Sequence, residues 1–340
     1  SAAAHTSTTS TTVTKVGGEI TLSGQLTLGS QNLTRYNTQI STLAGGALAG
    51  SGASSNNNVV TTTLTQIQPH SEIDAVSFDL SSINSVEKPW LSAPNIKGTT
   101  GGAVSGASAN STNNYDFNTS VDIGAEADLT GTGNIVSPGS FNVRANNNIT
   151  AKERVNLTTG GALSGAGAYS SITAPNDLAK IRFRNNSSVA TAAPVHISAR
   201  GSGDISSRVN AETYGAATVA TADTTASIHP VNQVHFDNGS YLQSDQNINI
   251  AAGTDVYFNR DNYKVEATTD TFAGSAIPIE SIDAGATLVQ TNVIEVGTNA
   301  VIESARNIKL HTEKYGLADM TRKAKAVNWT TGIRDGLNSL

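Results

Sequence analysis

Along most of the chain Val, Ile and Leu alternate with polar residues, as in Glu19-Ile20-Thr21-Leu22 and Asn247-Ile248-Asn249-Ile250. An extended strand points successive side chains to opposite faces, so a period of two predicts strands with one buried face. The recurring unit is apolar-x-apolar, then Gly, Asn or Ser, then apolar again. A triplet such as Ile294-x-Val296 sends two apolar groups inward, and the turn residue after it bends the chain. No run of about 18 apolar residues occurs, so no helical membrane span is predicted.

The pattern is itself repeated. The stretch from Asn232 aligns without a gap with the stretch from Asn292. Val234 matches Ile294, Phe236 matches Val296, Ser240 matches Ala300, Leu242 matches Ile302, and Asn247-Ile248 matches Asn307-Ile308. The same template fits from Ala179 (Ile181, Phe183, Ser187, Val189, Val195, Ile197) and from Thr119 (Val121, Ile123, Ala127, Leu129, Asn134-Ile135). The anchors 119, 179, 232 and 292 lie 60, 53 and 60 residues apart. A second series runs in phase: Gly45-Gly46-Ala47-Leu48, Gly101-Gly102-Ala103-Val104 and Gly160-Gly161-Ala162-Leu163, with looser copies at Tyr214, Phe272 and Tyr315.

Such periodicity predicts an all-β fold, a parallel β-helix (solenoid) with Gly/Ala/Ser-rich loops or edge strands. Residues 1–340 are expected to form one continuous solenoid segment, with 1–110 more divergent. Three short strands and three corners take about 20 residues, so each unit is expected to hold three coils. About 15 coils would then make a rod of about 70 Å. Asn at equivalent corners (Asn134, Asn247, Asn307) predicts amide ladders, and small Ser187, Ser240 and Ala300 allow tight corners.

Composition fits a thin, long core. Charged residues are 14% and aromatics 5%, too few large side chains for one thick core, while only 8 prolines argue against a disordered chain. The net charge of −6 disfavours nucleic acid, and the one basic cluster, Arg322-Lys323-Ala324-Lys325, is short. With no cysteine, disulfides and thiolate metal sites are excluded. The chain opens on Ser1 with no signal-peptide pattern, which predicts a processed or excerpted piece of something longer.

The run Val301-Ile302-Glu303-Ser304-Ala305-Arg306-Asn307-Ile308-Lys309-Leu310, with Tyr315-Gly316-Leu317-Ala318-Asp319-Met320 and Lys323-Ala324-Lys325-Ala326-Val327-Asn328-Trp329, resembles the repeat unit of large leukotoxin-like filamentous adhesins. More broadly it is similar to filamentous-haemagglutinin-type repeats. The match is strongest over 230–335, weaker over 115–230, and only general over 1–110. The resemblance implies a right-handed β-helix and a structural segment of a secreted bacterial surface filament, extracellular or on the cell surface, acting in attachment or fibre formation. Its partners would be like filament subunits or further repeats, and a host or neighbouring cell surface or carbohydrate. It also implies a second possibility, a segment of a secreted leukotoxin. It carries no catalytic residue to transfer, and the chain is expected not to be an enzyme.

Because some β-helices cleave polysaccharides, a lyase or glycosidase is the rival reading. Its acids would be Asp122, Glu126 and Asp128, which their alternation puts on the solvated outer face, or Glu72, Asp74 and Asp79, with no Arg, Lys or His cluster expected beside them. The six histidines are scattered, with no zinc spacing. Gly201-Ser202-Gly203-Asp204 matches half of a calcium nonapeptide that is not continued, so no cofactor is expected and calcium has only that foothold. Trp90, Trp329, Tyr214 and Tyr315 are large aromatics that could meet a carbohydrate or a neighbouring filament, or equally cap or pack a loop.

Overall fold

The structure is a computed structural model, and it describes residues 1–133, 139–255 and 262–328. Among the described residues there are twenty strands and no helix. Every strand pairing is parallel. Six short strands, Glu19–Thr21, Glu72–Ala75, Asp128–Gly131, Ser188–Thr191, Tyr241–Ser244 and Val301–Ser304, form one sheet, and the longer strands belong to a fourteen-stranded sheet.

Register explains the repeat. Thr119, Ala179, Asn232 and Asn292 are successive Cα partners. Val16, Ile67, Ile123, Phe183, Phe236 and Val296 form one file, and Ile20, Ile73, Leu129, Val189, Leu242 and Ile302 form another. Paired residues lie 51 (Ala2 with Ala53) to 63 (Phe78 with Phe141) positions apart. The expectation of three coils per unit is thereby corrected. Among the described residues, strands within one unit do not pair with each other; each pairs with its counterpart a whole unit away. The described residues form six layers, not about 15. Residues 1–110 follow the same registers despite their divergent sequence, because backbone pairing needs only the polar-apolar alternation.

The corner before each short strand is built alike. Gly18, His70, Glu126, Asn186, Gly239 and Asn299 all have positive φ, between 55° and 93°. The amide four times closes an i to i+3 turn, from Ala127, Ser187, Ser240 and Ala300 to Gly124, Arg184, Asp237 and Gly297. A positive φ at the third residue is the type II signature, which favours Gly and Asn. The left-handed residues also hand the ladder on: the amides of His70, Glu126, Asn186 and Gly239 bond to carbonyls of the next layer at 3.0–3.2 Å. The small residues after them, Ser71, Ala127, Ser187 and Ser240, are buried.

Among the described residues the interior holds three apolar stations. The largest gathers Phe78, Phe141, Leu129, Phe183 and Phe236 around the short sheet, with Phe183 and Phe236 stacked at 4.5 Å. The second holds Tyr115, Phe117 and Tyr263, and the third small residues such as Ala107, Ala166 and Ala211 with Leu157. Between stations the inward positions are polar, including Thr61, Thr63, Ser82, Asn84, Asn57 and Asn113. At the far tip Gly102, Gly161 and Gly215 are stacked so closely that a Cβ on each would sit 1.9–2.1 Å from the carbonyl oxygen of Gly46, Gly102 and Gly161 respectively.

Candidate functional site

The inward repeat positions Val234, Phe236, Leu242 and Ile248 are fully buried. Their partners Ile294 and Ile302 are half-buried, and Val296 and Ile308 are exposed at 43% and 45%, because no described layer covers the last one. Asn134 and Ile135 lie outside the described residues, as does Trp329. Asn307 does donate to Asn247 at 3.2 Å, but Pro194 occupies the position one layer back, before Val195, so that ladder has one step there. The more buried amide ladders join Asn32 to Asn84, Asn57 to Asn113, Asn95 to Asn37 and Asn232 to Asn292, at 2.8–2.9 Å.

The candidate acids differ from expectation in their surroundings. Asp122 is buried beneath Arg184, whose Nε and terminal nitrogen both donate to it at 2.8 Å. Asp79 accepts two bonds from Arg144 at 2.9 and 3.1 Å, and Glu126 faces His70 at 3.0 Å. Basic partners thus do sit beside them, and the reason lies in the register: residues remote in sequence become outer-face neighbours. Glu19, Glu72 and Asp128 are exposed and file along the outer face of the short sheet, one per layer. Asp74 is half-buried and is in register with Thr21 and Thr130.

The half-motif at 201–204 has a packing explanation. A Cβ on Gly201 would lie 2.2 Å from the Tyr263 hydroxyl and one on Gly203 2.8 Å from its ring, so these glycines seat a buried tyrosine. Asp204 pairs with the Lys152 ammonium. Among the described residues no group of three or more His, Asp or Glu gathers as a metal site. Burial lowers the His196 pKa, while His235 bridges Asp237 and Glu295 at 2.9 Å each. Trp90 is surrounded by cations, with the Arg208 guanidinium 4.9 Å from its ring.

Two features escaped the sequence reading. Leu48, Val104, Leu163 and Ile277 are exposed and fall in one file with Ala217, forming an apolar stripe beside the glycine column. The aliphatic residue after each Gly-Gly-Ala was its signal. The other is a buried polar group around Lys88 and Glu153, which strand parity places inside. Among the described residues, no helix is long and apolar enough to cross a membrane.

Comparison with known proteins finds no matching family model, no similar curated protein and no similar solved structure. What fold and surface define is a class: an all-β repeat protein of stacked parallel strands with one repeat per layer.

Proposed function

We propose that the chain is a segment of a secreted bacterial surface filament, wound as a right-handed parallel β-helix with one repeat per turn, and acting in attachment or extracellular fibre formation. The observation that carries this reading is the single-file register. Each layer is backbone-paired only to the layers next to it, so length is added by repeats while the outer face recurs along the axis. Parallel crossovers are right-handed in nearly all folds, which supports the handedness. Among the described residues, the last layer exposes inward-phase residues such as Val296, Ile308 and Leu310, in register with the buried Phe236, Ile248 and Ile250. Like repeats, in the same chain or in a second copy, are the natural partner for such an exposed apolar layer. The outer polar faces are then left for a cell surface or carbohydrate.

Asp122 and Asp79 are each engaged by an arginine, which favours this structural role over a glycosidase, whose two carboxyl groups must face the scissile bond. Electron microscopy of the purified chain, with attachment of chain-coated beads to cells, tests the proposal. Rods layered at about 4.8 Å that confer attachment are expected. Release of sugar fragments from polysaccharides, lost in Asp128→Ala, would overturn it in favour of the enzyme.

A further inference from the structure

Lys88, Asn113 and Glu153 all meet in the interior. Alternation along Ser77–Lys88 sends Phe78, Leu80, Val86 and Lys88 inward; along Val104–Ile123 it sends Asn113, Tyr115 and Phe117 inward; along Phe141–Phe183 it sends Glu153 and Val155 inward. Lys88 and Glu153 are 0% exposed, and the Lys88 ammonium touches Glu153 Oε2. The Asn113 amide nitrogen donates to the same oxygen at 3.2 Å. On its other side the Asn113 carbonyl oxygen accepts from Asn57 Nδ2 at 2.9 Å. Glu153 Oε1 has no partner.

A buried ion pair is a poor source of stability, since desolvating both charges offsets most of their attraction. The arrangement has instead the parts of an acyl transfer. Burial lowers the Lys88 pKa to about 7, which favours the nucleophilic free amine. Asn57 donates to the oxygen on which charge would develop, as an oxyanion donor must. Glu153 touches both the attacking and the departing nitrogen, the place for a proton shuttle.

We propose that Lys88 and Asn113 become joined by an isopeptide bond inside the folded chain, with Glu153 as the proton carrier and Asn57 as the oxyanion donor. Glu153 takes a proton from the Lys88 ammonium. The freed Nζ lone pair attacks Cγ of Asn113, and the electrons of its C=O bond move to Oδ1. Glu153 gives its proton to Nδ2, the Cγ–Nδ2 bond breaks as the C=O bond re-forms, and ammonia leaves. The surplus proton on Nζ returns to Glu153. Amine and carboxamide become a secondary amide plus ammonia, and neither oxidant nor cofactor is consumed. Two buried charges are replaced by neutral groups, and the second layer is tied covalently to the third.

Intact-mass spectrometry of the purified, folded chain is the test. The expected mass is the sequence mass less one ammonia, with a branched proteolytic peptide joining the segments that contain Lys88 and Asn113. Lys88→Arg and Glu153→Gln are expected to keep their full sequence mass. The folded wild type decides the matter even where a variant fails to fold. A wild-type chain at full sequence mass overturns the proposal. So does loss of one water with a branch between Lys88 and Glu153.

Discussion

Gly160 and Gly161 are adjacent, yet the structure assigns opposite signs to the same substitution. A Cβ on Gly161 would lie 2.1 Å from the Gly102 carbonyl oxygen and 3.2 Å from its carbon. That is more than about 1 Å inside van der Waals separation, and the obstructing atom is backbone that cannot rotate away. Relief requires the two layers to part locally. The bonds at stake are the Leu163 amide to Ala103 at 3.0 Å and the Gly102 amide to Gly160 at 3.1 Å. At about 1 kcal/mol net for each of the two bonds lost, with about 1–3 kcal/mol of overpacking strain, Gly161→Ala is expected to destabilise by about 3–5 kcal/mol. A Cβ on Gly160 meets nothing within 4 Å. There the smaller entropy loss on folding should stabilise by about 0.4–1 kcal/mol. Urea unfolding followed by circular dichroism compares the two midpoints with that of the parent. Equal midpoints for the two variants, or a more stable Gly161→Ala, would refute the claim that the glycine column exists for close layer contact.

Three further outcomes are expected. Phe183→Ala removes a fully buried ring stacked on Phe236 and should cost about 3–5 kcal/mol; a loss under about 1 kcal/mol in urea melts would count against the stacked core. Glu126 holds φ at 58°, a conformation that costs an ordinary L-residue about 1–2 kcal/mol and suits Asn. Glu126→Asn should therefore raise stability by about 0.5–1 kcal/mol after loss of the exposed His70 contact, and a lowered melting temperature would contradict it. Burial pushes the Asp177 carboxyl up to about 7, with hydrogen bonds from Asn147 and Tyr263 opposing the shift. Its folded pKa exceeds its unfolded one, so its stabilising effect is full below about pH 4 and is lost as pH rises through about 7. Asp177→Asn should flatten that slope in midpoints measured from pH 4 to 8; an unchanged slope would assign the dependence elsewhere.

Much of the architecture was legible because alternation and repeat spacing are local and additive along the chain. The alignment of Val234 with Ile294, or of Leu242 with Ile302, is also their pairing register. The coil length was misread because a strand-turn pattern has the same look whether the chain returns after one corner or several. Parity was equally available for Lys88, Asn113 and Glu153, each in phase with apolar neighbours.

Other facts exist only across layers. Asp122 meets Arg184, and Asp79 meets Arg144, across distances in sequence that only the register closes. A bulge between Ala174 and Asp177 shifts the register on both sides and moves the inward phase from Ile172 and Ala174 to Asp177, Ala179 and Ile181, which buries an acid that simple alternation would leave outside. Period, strand parity and turn residues are properties of a few consecutive residues, so the sequence by itself determined them. Which charge neutralises which, which glycine admits its neighbour's backbone, and which amine meets which amide depend on residues about one repeat or more apart, and only the stacking of layers decided those.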